Sequence, residues 1–300
     1  MKEKTTAFRV VDALLLCLTI LPIVCGMVLK ILFTPPAEGI QITGALIYFE
    51  VPMPVQNLVI TEAQVNAWLV MAAILFLCLY LTHGLQVKAQ TKRQIFVEWI
   101  VEKSEQLTTG NMGDYFLGFS PFVAAILALS AFSSLLSLFG LYAPTSDINV
   151  VAGWAILTFI LITYYKFKAG PVQYLKSFGD PVPFLAPLNI ISEVATPVSM
   201  AFRHYGNILS GSVISVLIAA GLQGLSAMVL GWIPVVGEIP LLQIGLPGVL
   251  SIYFDVFSGV LQAYIFAMLT MLYVSGGFPL EKYMAKKAKR QARKQAKAVQ

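Results

Sequence analysis

Long apolar segments alternate with short polar ones along the whole chain. Six of the apolar segments contain 20 or more residues, and they cover residues 8–33, 63–83, 115–141, 148–167, 187–223 and 246–274. A helix of about 20 apolar residues is long enough to cross the hydrocarbon core of a bilayer. Backbone polar groups in lipid must bond within their own segment, which favours helices. The pattern therefore predicts an all-α polytopic membrane protein with about six membrane helices.

Two of the connecting segments carry patterns of their own. Residues 34–64 combine β-branched and aromatic residues with proline, which predicts a short hairpin outside the membrane. Thr61 and Glu62 predict the start of the second helix, as a hydroxyl cap followed by a first-turn acid. Residues 86–113 place apolar side chains opposite acidic ones at helical spacing. They predict an amphipathic helix on the cytoplasmic membrane surface or against a partner, with a solvated connector as the alternative.

The charges predict how the six helices are oriented. The chain is 58% hydrophobic and 12% charged, whereas a soluble domain carries about 25% charged residues. Lysine and arginine concentrate in the first residues, in residues 86–103, in residues 166–176 and in the C-terminal tail, and six spans place all four segments on one side. The opposite side carries five acids: Glu38, Glu50, Glu62, Asp147 and Glu238. The positive-inside rule therefore predicts that both termini are cytoplasmic.

The same pattern divides the chain into three parts. Residues 1–62 contain a membrane helix, whose apolar run is longer than a signal-peptide core, and an external segment. Residues 63–278 contain the other five spans, and residues 279–300 form a basic tail. Eight of the 20 lysines and arginines follow residue 278. We interpret the tail as a cytoplasmic segment near anionic lipid rather than as a nucleic-acid-binding segment.

Cysteine, histidine and serine do not predict a catalytic or metal site. The three cysteines, Cys17, Cys25 and Cys78, lie in apolar runs without disulfide or metal-ligand spacing. The chain contains only 2 histidines, too few for a histidine metal site. Four serines on nearly one face of the third span indicate helix–helix packing rather than an ion path: Ser130, Ser133, Ser134 and Ser137.

The fifth predicted span carries charge at membrane depth, because Glu193, Arg203 and His204 interrupt its apolar run. A charge at the bilayer centre costs about 2.5 kcal/mol or more, and arginine cannot lose its proton. We therefore interpret Arg203 as a functional residue. The chain offers no acid at the same depth, so we expect the counter-charge on another subunit. Small and polar residues recur at helical spacing on the side that holds Arg203: Ser199, Gly206, Asn207 and Ser210.

The sixth span carries a second polar face, made by Asp255, Ser258, Gly259 and Gln262. Consecutive spans run antiparallel, and we expect the last two to form a long hairpin. If Arg203 and Gln262 share a depth, Asp255 lies beside Ser212 in the outer half, and Glu193 lies opposite residue 272 near the inner end. This layout predicts two aqueous half-paths that do not meet, divided by a fixed cation. In the alternative interpretation, Asp255 and Glu193 are structural.

Several runs in these spans resemble subunit a of F-type ATP synthases. The run PVSMAFRHYGNILSG is similar to the family pattern PxSLxxRLxGNxxxG, and the runs PTSDINV, ITEAQVNAWLV and LQAYIFAMLTMLYV are similar to the family at the fourth, second and sixth spans. The resemblance covers about residues 60–275. The chain departs from the family at His204 and Tyr205, which replace leucine and phenylalanine, and at Ser212 and Asp255, where members often carry an acid and a histidine.

The resemblance implies a non-catalytic subunit of a complex in the bacterial plasma membrane, one that conducts H⁺ or Na⁺ and needs no cofactor. Arg203 would be the essential stator charge, and Asn207 and Gln262 would line the interface with a rotating c-ring. Peripheral-stalk subunit b and the remaining ATP synthase subunits are the other implied partners. On this hypothesis the ion enters past Asp147, Asn149, Ser212 and Asp255, and it leaves near Glu193 and Ser199.

Two other classes of function make different predictions. A self-contained secondary transporter or channel predicts inverted internal repeats, which the sequence does not show. A membrane-embedded enzyme predicts a Ser-His, paired-Asp or histidine-rich metal constellation, and the sequence offers none. Transport by the purified chain alone would favour the first class, whereas a stator subunit is expected to conduct nothing without its c-ring.

Overall fold

The computed structural model describes residues 6–34, 44–54, 56–87, 91–179, 182–230, 246–280 and 283–285. Most of the predicted external connector before the sixth span lies outside these residues, and so does nearly all of the basic tail. The predicted external acids Glu38 and Glu238 also lie outside the described residues.

Nine α-helices and one hairpin follow each other in the described part of the chain. The elements are α1 (Thr6–Phe33), β1 (Ile47–Val51), β2 (Leu58–Thr61), α2 (Glu62–Thr82), α3 (Lys92–Met112), α4 (Ser120–Leu135), α5 (Ile148–Ala169), α6 (Pro171–Ser177), α7 (Ala186–Leu230), α8 (Leu246–Ser251) and α9 (Gly259–Gly276). Short 3₁₀ turns flank α4 at Asp114–Phe119 and Leu136–Phe139. A π-helical segment, Ile252–Ser258, joins α8 to α9.

Six helical stretches are long and apolar enough to cross a membrane, which confirms the predicted number of spans. They are Thr6–Phe33, Glu62–Thr82, Asp114–Phe139, Ile148–Lys168, Pro183–Val229 and Gly248–Gly276. Most bounds differ from the predicted ones by one or two residues, and those of the fifth stretch differ more. The third stretch ends at Phe139 because Gly140 adopts a left-handed conformation with φ of 71°. The fifth extends beyond residue 223, since α7 runs for 45 residues.

The hairpin predicted between the first two spans is present. β1 pairs antiparallel with β2, with Val51 opposite Leu58. Thr61 is the N-cap of α2, as predicted, but its backbone N–H donates to Gln64 Oε1 at 3.3 Å. Glu62 is a first-turn acid, as predicted, yet its side chain is buried rather than exposed to external water.

Helix α1 packs along α2, and contacts of its N-terminal part join it to the C-terminal end of α2 and the start of α3. Asp12 Oδ1 lies 2.9 Å from Arg93 Nη1 and 2.9 Å from His83 Nδ1. The ring of Phe8 stacks on His83 with 4.4 Å between centroids. Arg93 also donates to the carbonyl oxygen of His83 and lies over the Tyr80 ring. These contacts join α1, the C-terminal end of α2 and the start of α3.

The main core lies where α4, α5, α7 and α9 meet. Its buried apolar residues include Val123, Met200, Phe266 and Met271. The packing role predicted for the serines of the third span is confirmed, because a Cβ on Gly259 of α9 would lie only 2.7 Å from Ser134 Cβ. Glycine therefore permits α9 to approach α4 this closely.

A helix, α3, lies between the second and third spans as the sequence predicts, but its apolar and charged side chains are mixed around the helix rather than placed opposite each other. Its side chains Ile95, Phe96 and Trp99 are exposed together on one face, where Phe96 and Trp99 stack. Glu98 and Glu102 lie on a neighbouring exposed face. The described part of the chain leaves this apolar face uncovered, as expected for a helix on a membrane surface or against a partner.

Candidate functional site

The two faces of α7 have opposite environments around Arg203. Met200, His204 and Ile208 are buried against the core, at the spacing of a helix face. Phe202 and Arg203 are exposed on the other side. The guanidinium of Arg203 forms no ion pair, hydrogen bond or ring contact with any residue in the described ranges. The cation therefore stands near the middle of a membrane helix with its donors available to another molecule.

His204 holds this part of α7 against three other helices. Its side chain has a relative exposure of 0%. The imidazole meets Trp154 of α5 and Phe266 of α9 edge-on, with centroid distances of 5.9 and 5.6 Å. Its Nε2 lies 3.3 Å from Ser130 Oγ of α4, and its Nδ1 has no partner among the described residues. Successive helix residues differ by about 100° in direction, so burying His204 turns Arg203 outward.

Asn207 joins α7 to the sixth span. Its Nδ2 donates to Gln262 Oε1 at 3.3 Å, and its Oδ1 accepts from Ser258 Oγ at 3.1 Å. Gln262 is only 3% exposed, so its side chain is buried between the helices, while its partner Asn207 is partly exposed. A Cβ on Gly211 would lie 2.9 Å from the Phe254 ring. These contacts confirm the antiparallel packing and the register that a shared depth of Arg203 and Gln262 predicts.

The residues expected at the ion entrance occupy two places. Asp255 lies half-buried in the π-helical segment, and Ser212 is exposed on α7, where its hydroxyl donates to the Leu209 carbonyl at 2.8 Å. Asp147 is the N-cap of α5, and its Oδ1 accepts from the backbone N–H of Asn149 at 2.8 Å. Asn149 itself is exposed. One predicted entrance residue therefore also begins a membrane helix.

One of the two residues expected at the ion exit lies at a cavity near the N-terminal end of α7. Glu193 lines an open cavity of about 480 Å³, which Leu272 and Tyr273 of α9 also line, in agreement with the predicted register. Ser199 is exposed further along α7. At the rise of an α-helix, ten residues separate Glu193 from Arg203 by about 15 Å.

The structure gives Glu193 a partner that the sequence did not reveal. Lys166 Nζ of α5 lies 2.5 and 2.7 Å from the two carboxylate oxygens. The Tyr174 hydroxyl donates to the same carboxylate at 3.3 Å. Burial, and then the charge of Glu193, raise the pKa of Tyr174, so its hydroxyl stays a donor at neutral pH. An ammonium group of the same polypeptide therefore neutralises Glu193.

Comparison with known proteins agrees with this arrangement. A family model described as ATP synthase A chain matches residues 65–275, which is more than half of the chain. ATP synthase subunit a from Macrococcus caseolyticus is 34% identical over 219 residues, covering 69% of this chain and 85% of that protein. ATP synthase subunit a from Legionella pneumophila (strain Paris) is 27% identical over 223 residues, covering 74% and 88%.

A third relative carries an ion preference in its name. This protein, "ATP synthase subunit a, sodium ion specific" from Propionigenium modestum, is 26% identical over 283 residues, covering 84% of this chain and 89% of its own. All three relatives are subunits of a larger complex, so the alternative of a self-contained transporter gains no support. The chain belongs to the ATP synthase A chain family, and it is an ion-translocating, non-catalytic membrane subunit a of the ATP synthase stator.

Proposed function

We propose that this subunit conducts H⁺ or Na⁺ along two offset half-paths to and from carboxylates of a c-ring, with Arg203 between the paths. The observation that carries the proposal is the environment of Arg203. It is exposed near the middle of α7 and has no partner in the described part of the chain. An unpaired charge in hydrocarbon is costly. A carboxylate that belongs to a neighbouring, moving subunit would remove this cost each time it passes.

The fixed charge would also drive the release of the ion. Two unit charges 4 Å apart interact by about 4 kcal/mol at an effective dielectric of 20, which is roughly a thousandfold in ion affinity. The field of Arg203 thus favours the ion-free carboxylate and repels a cation that approaches along either half-path. Lysine would be a weaker replacement, because it can lose its proton and lacks the planar pair of donors.

The positions of the remaining site residues support separate entrance and exit routes. Asp147, Asn149, Ser212 and Asp255 would form the outer route, and Glu193 with Ser199 would form the inner route. The cavity beside Glu193 and the ion pair with Lys166 supply a polar lining at the inner end. Asn207 and Gln262 join the two helices between the routes. The ion is selected at the carboxylate of the c-ring, so the proposal holds for either H⁺ or Na⁺.

We further propose the surroundings of the subunit. Both termini would lie in the cytoplasm and the six spans in a bacterial plasma membrane, which the distribution of lysine and arginine and the bacterial relatives support. The exposed apolar face of α3 is available to peripheral-stalk subunit b or to lipid. The division at residues 62 and 278 into an N-terminal part, an ion-translocating core and a basic tail is part of the same proposal.

Replacement of Arg203 tests the proposal most directly. In membrane vesicles that contain the whole complex, Arg203→Ala is expected to lower gradient-driven ATP synthesis by at least about a hundredfold, because about 3 kcal/mol or more of charge stabilisation is lost. The rate of synthesis with Arg203→Lys is expected to lie between those of the parent and Arg203→Ala. Lys103→Ala, which removes an exposed cation from α3, is the matched control and should leave synthesis unchanged. Synthesis at the full rate with Arg203→Ala would refute the central role of this residue.

A further inference from the structure

A buried carboxylate at the start of α2 has a partner on α1. Glu62 is 2% exposed, and its Oε1 lies 3.4 Å from Lys30 Nζ. Lys30 also donates to the carbonyl oxygen of Gly140 at 2.6 Å. A buried carboxylate without its cation is strongly destabilising. The ammonium group therefore joins the outer ends of α1, α2 and α4 at one point.

The same carboxylate and its neighbour hold the loop that leads to α5. The backbone N–H of Tyr142 donates to Glu62 Oε1 at 3.1 Å. Asn66, one turn further along α2 and 1% exposed, donates Nδ2 to the Tyr142 carbonyl at 2.9 Å. Both backbone polar groups of residue 142 are thus bound by side chains of α2. Their partners are buried, so the loop cannot shift without leaving buried polar groups unpaired.

Further bonds continue this connection to the predicted ion entrance. The Tyr142 hydroxyl donates to the Ser146 carbonyl at 3.1 Å, and the Thr145 hydroxyl lies 3.2 Å from Ser134 Oγ. Asp147 follows at once and caps α5. A series of side-chain and backbone contacts therefore runs from Lys30 through Glu62 and Tyr142 to Ser146, the residue before Asp147.

The fit of α1 against this loop is close. A Cβ on Gly26, one turn before Lys30, would lie 3.2 Å from side-chain atoms of both Leu69 and Leu141. Near the other end of α1, Asp12 binds Arg93 and His83. The helix is thus held at both ends, although it lies wholly outside residues 65–275, the part that matches the family model.

We propose that Lys30 and Glu62 are positioning residues for the outer half-path, and that α1 is for this reason a working part of the subunit. They hold the loop that carries Asp147 and Asn149 in the geometry that admits the ion. This inference rests on the proposed function, because it takes Asp147 and Asn149 as part of the ion entrance. The ammonium of Lys30 acts through Glu62 and the backbone of Tyr142, and it does not touch the ion.

The test uses the whole complex in vesicles and measures how ATP synthesis depends on the ion concentration outside. Lys30→Ala is expected to raise the concentration for half-maximal rate about tenfold, with little change in the maximal rate, a coupling of typical size for directly bonded residues. The double variant Lys30→Ala/Glu62→Gln should return within about twofold of the parent, because the neutral amide needs no cation and still accepts from Tyr142 N–H. Ile31→Ala, on the exposed face of α1 beside Lys30, is the matched control and should leave the ion dependence unchanged.

A second readout follows the loop itself. In a background without Cys17, Cys25 and Cys78, the rate at which a membrane-impermeant maleimide labels Asn149→Cys should change at least about threefold with Lys30→Ala and return in the double variant. If Lys30→Ala prevents assembly, Lys30→Gln, which keeps a donor, takes its place in both measurements.

Two results would overturn the inference: an unchanged external-ion dependence with Lys30→Ala, or a double variant no better than the single one. Arg203→Ala in the same vesicles separates this failure from failure of the proposed function. If Arg203→Ala abolishes synthesis while Lys30→Ala changes nothing, only the positioning role of Lys30 and Glu62 is refuted, and the proposed function stands.

Discussion

Arg203 and His204 are neighbours in the chain, and the fold treats them in opposite ways. Arg203 is exposed, whereas His204 is enclosed by Trp154, Phe266 and Ser130. The sequence predicts the functional cation, because a residue that stays charged in an apolar run needs a reason to be there. It does not predict the burial of His204, because the side chains that enclose it come from three different helices.

His204→Leu is expected to be tolerated, with a change in the free energy of unfolding below about 1.5 kcal/mol. The leucine loses one long hydrogen bond to Ser130 but also removes Nδ1, for which the described residues offer no partner. His204→Ala is expected to cost about 3 kcal/mol, because it leaves a cavity between α4, α5 and α9. Thermal unfolding of the purified complex measures both. Equal losses for the two variants would show that the imidazole contributes more than volume.

At the scale of elements, small residues set how closely the helices approach. Gly259 lets α9 contact Ser134, and Gly211 lets the Phe254 ring lie on α7. These contacts hold Asn207 within hydrogen-bonding distance of Gln262 and Ser258. The polar face of the sixth span predicted which residues meet α7, since side-chain direction repeats every 3.6 residues. The π-helical segment that carries Asp255 was not predicted, because such segments depend on packing from outside the helix.

Gly259→Ala is expected to destabilise the complex by about 1–3 kcal/mol, because the new methyl group overlaps the side chain of Ser134. It should also lower the rate of ion-driven synthesis, since α9 carries Gln262. Gly153→Ala is the matched control in an exposed part of α5 where nothing lies within 4 Å, and it should be neutral or slightly stabilising. Thermal unfolding that ranks the two variants the other way would contradict the assigned close approach.

At the scale of the whole molecule, hydrophobic length predicts the number of spans and charge distribution predicts their orientation. Six spans were predicted, and the described residues contain six helices long and apolar enough to cross a membrane. The ion pairs between elements were not predicted. Lys166 and Glu193 are 27 residues apart, and Lys30 and Glu62 belong to different helices. No periodicity links such residues, because each pattern reports only on its own helix.

The orientation of the spans can be measured with single cysteines in a background without the three native ones. Glu50→Cys, exposed in β1, should react with an impermeant maleimide in right-side-out vesicles, and Lys103→Cys, exposed in α3, should react only in inside-out vesicles. We expect this result because segments rich in lysine and arginine lie on the cytoplasmic side of a membrane. Reaction of both cysteines from the same side would contradict the proposed topology.

Hydrophobic length and charge are properties of each segment, so the amino-acid sequence alone was sufficient to determine the number of spans, the presence of a helix between the second and third spans, the hairpin and the unusual arginine of the fifth span. Contacts between distant segments depend on how helices pack, and only the tertiary structure could decide them. It buried Glu62 beside Lys30, paired Glu193 with Lys166 and enclosed His204, leaving the guanidinium of Arg203 on the surface. The two ion pairs follow from the need to satisfy a carboxylate removed from water with whichever partner the neighbouring helix presents, whereas His204 is enclosed by packing against three helices.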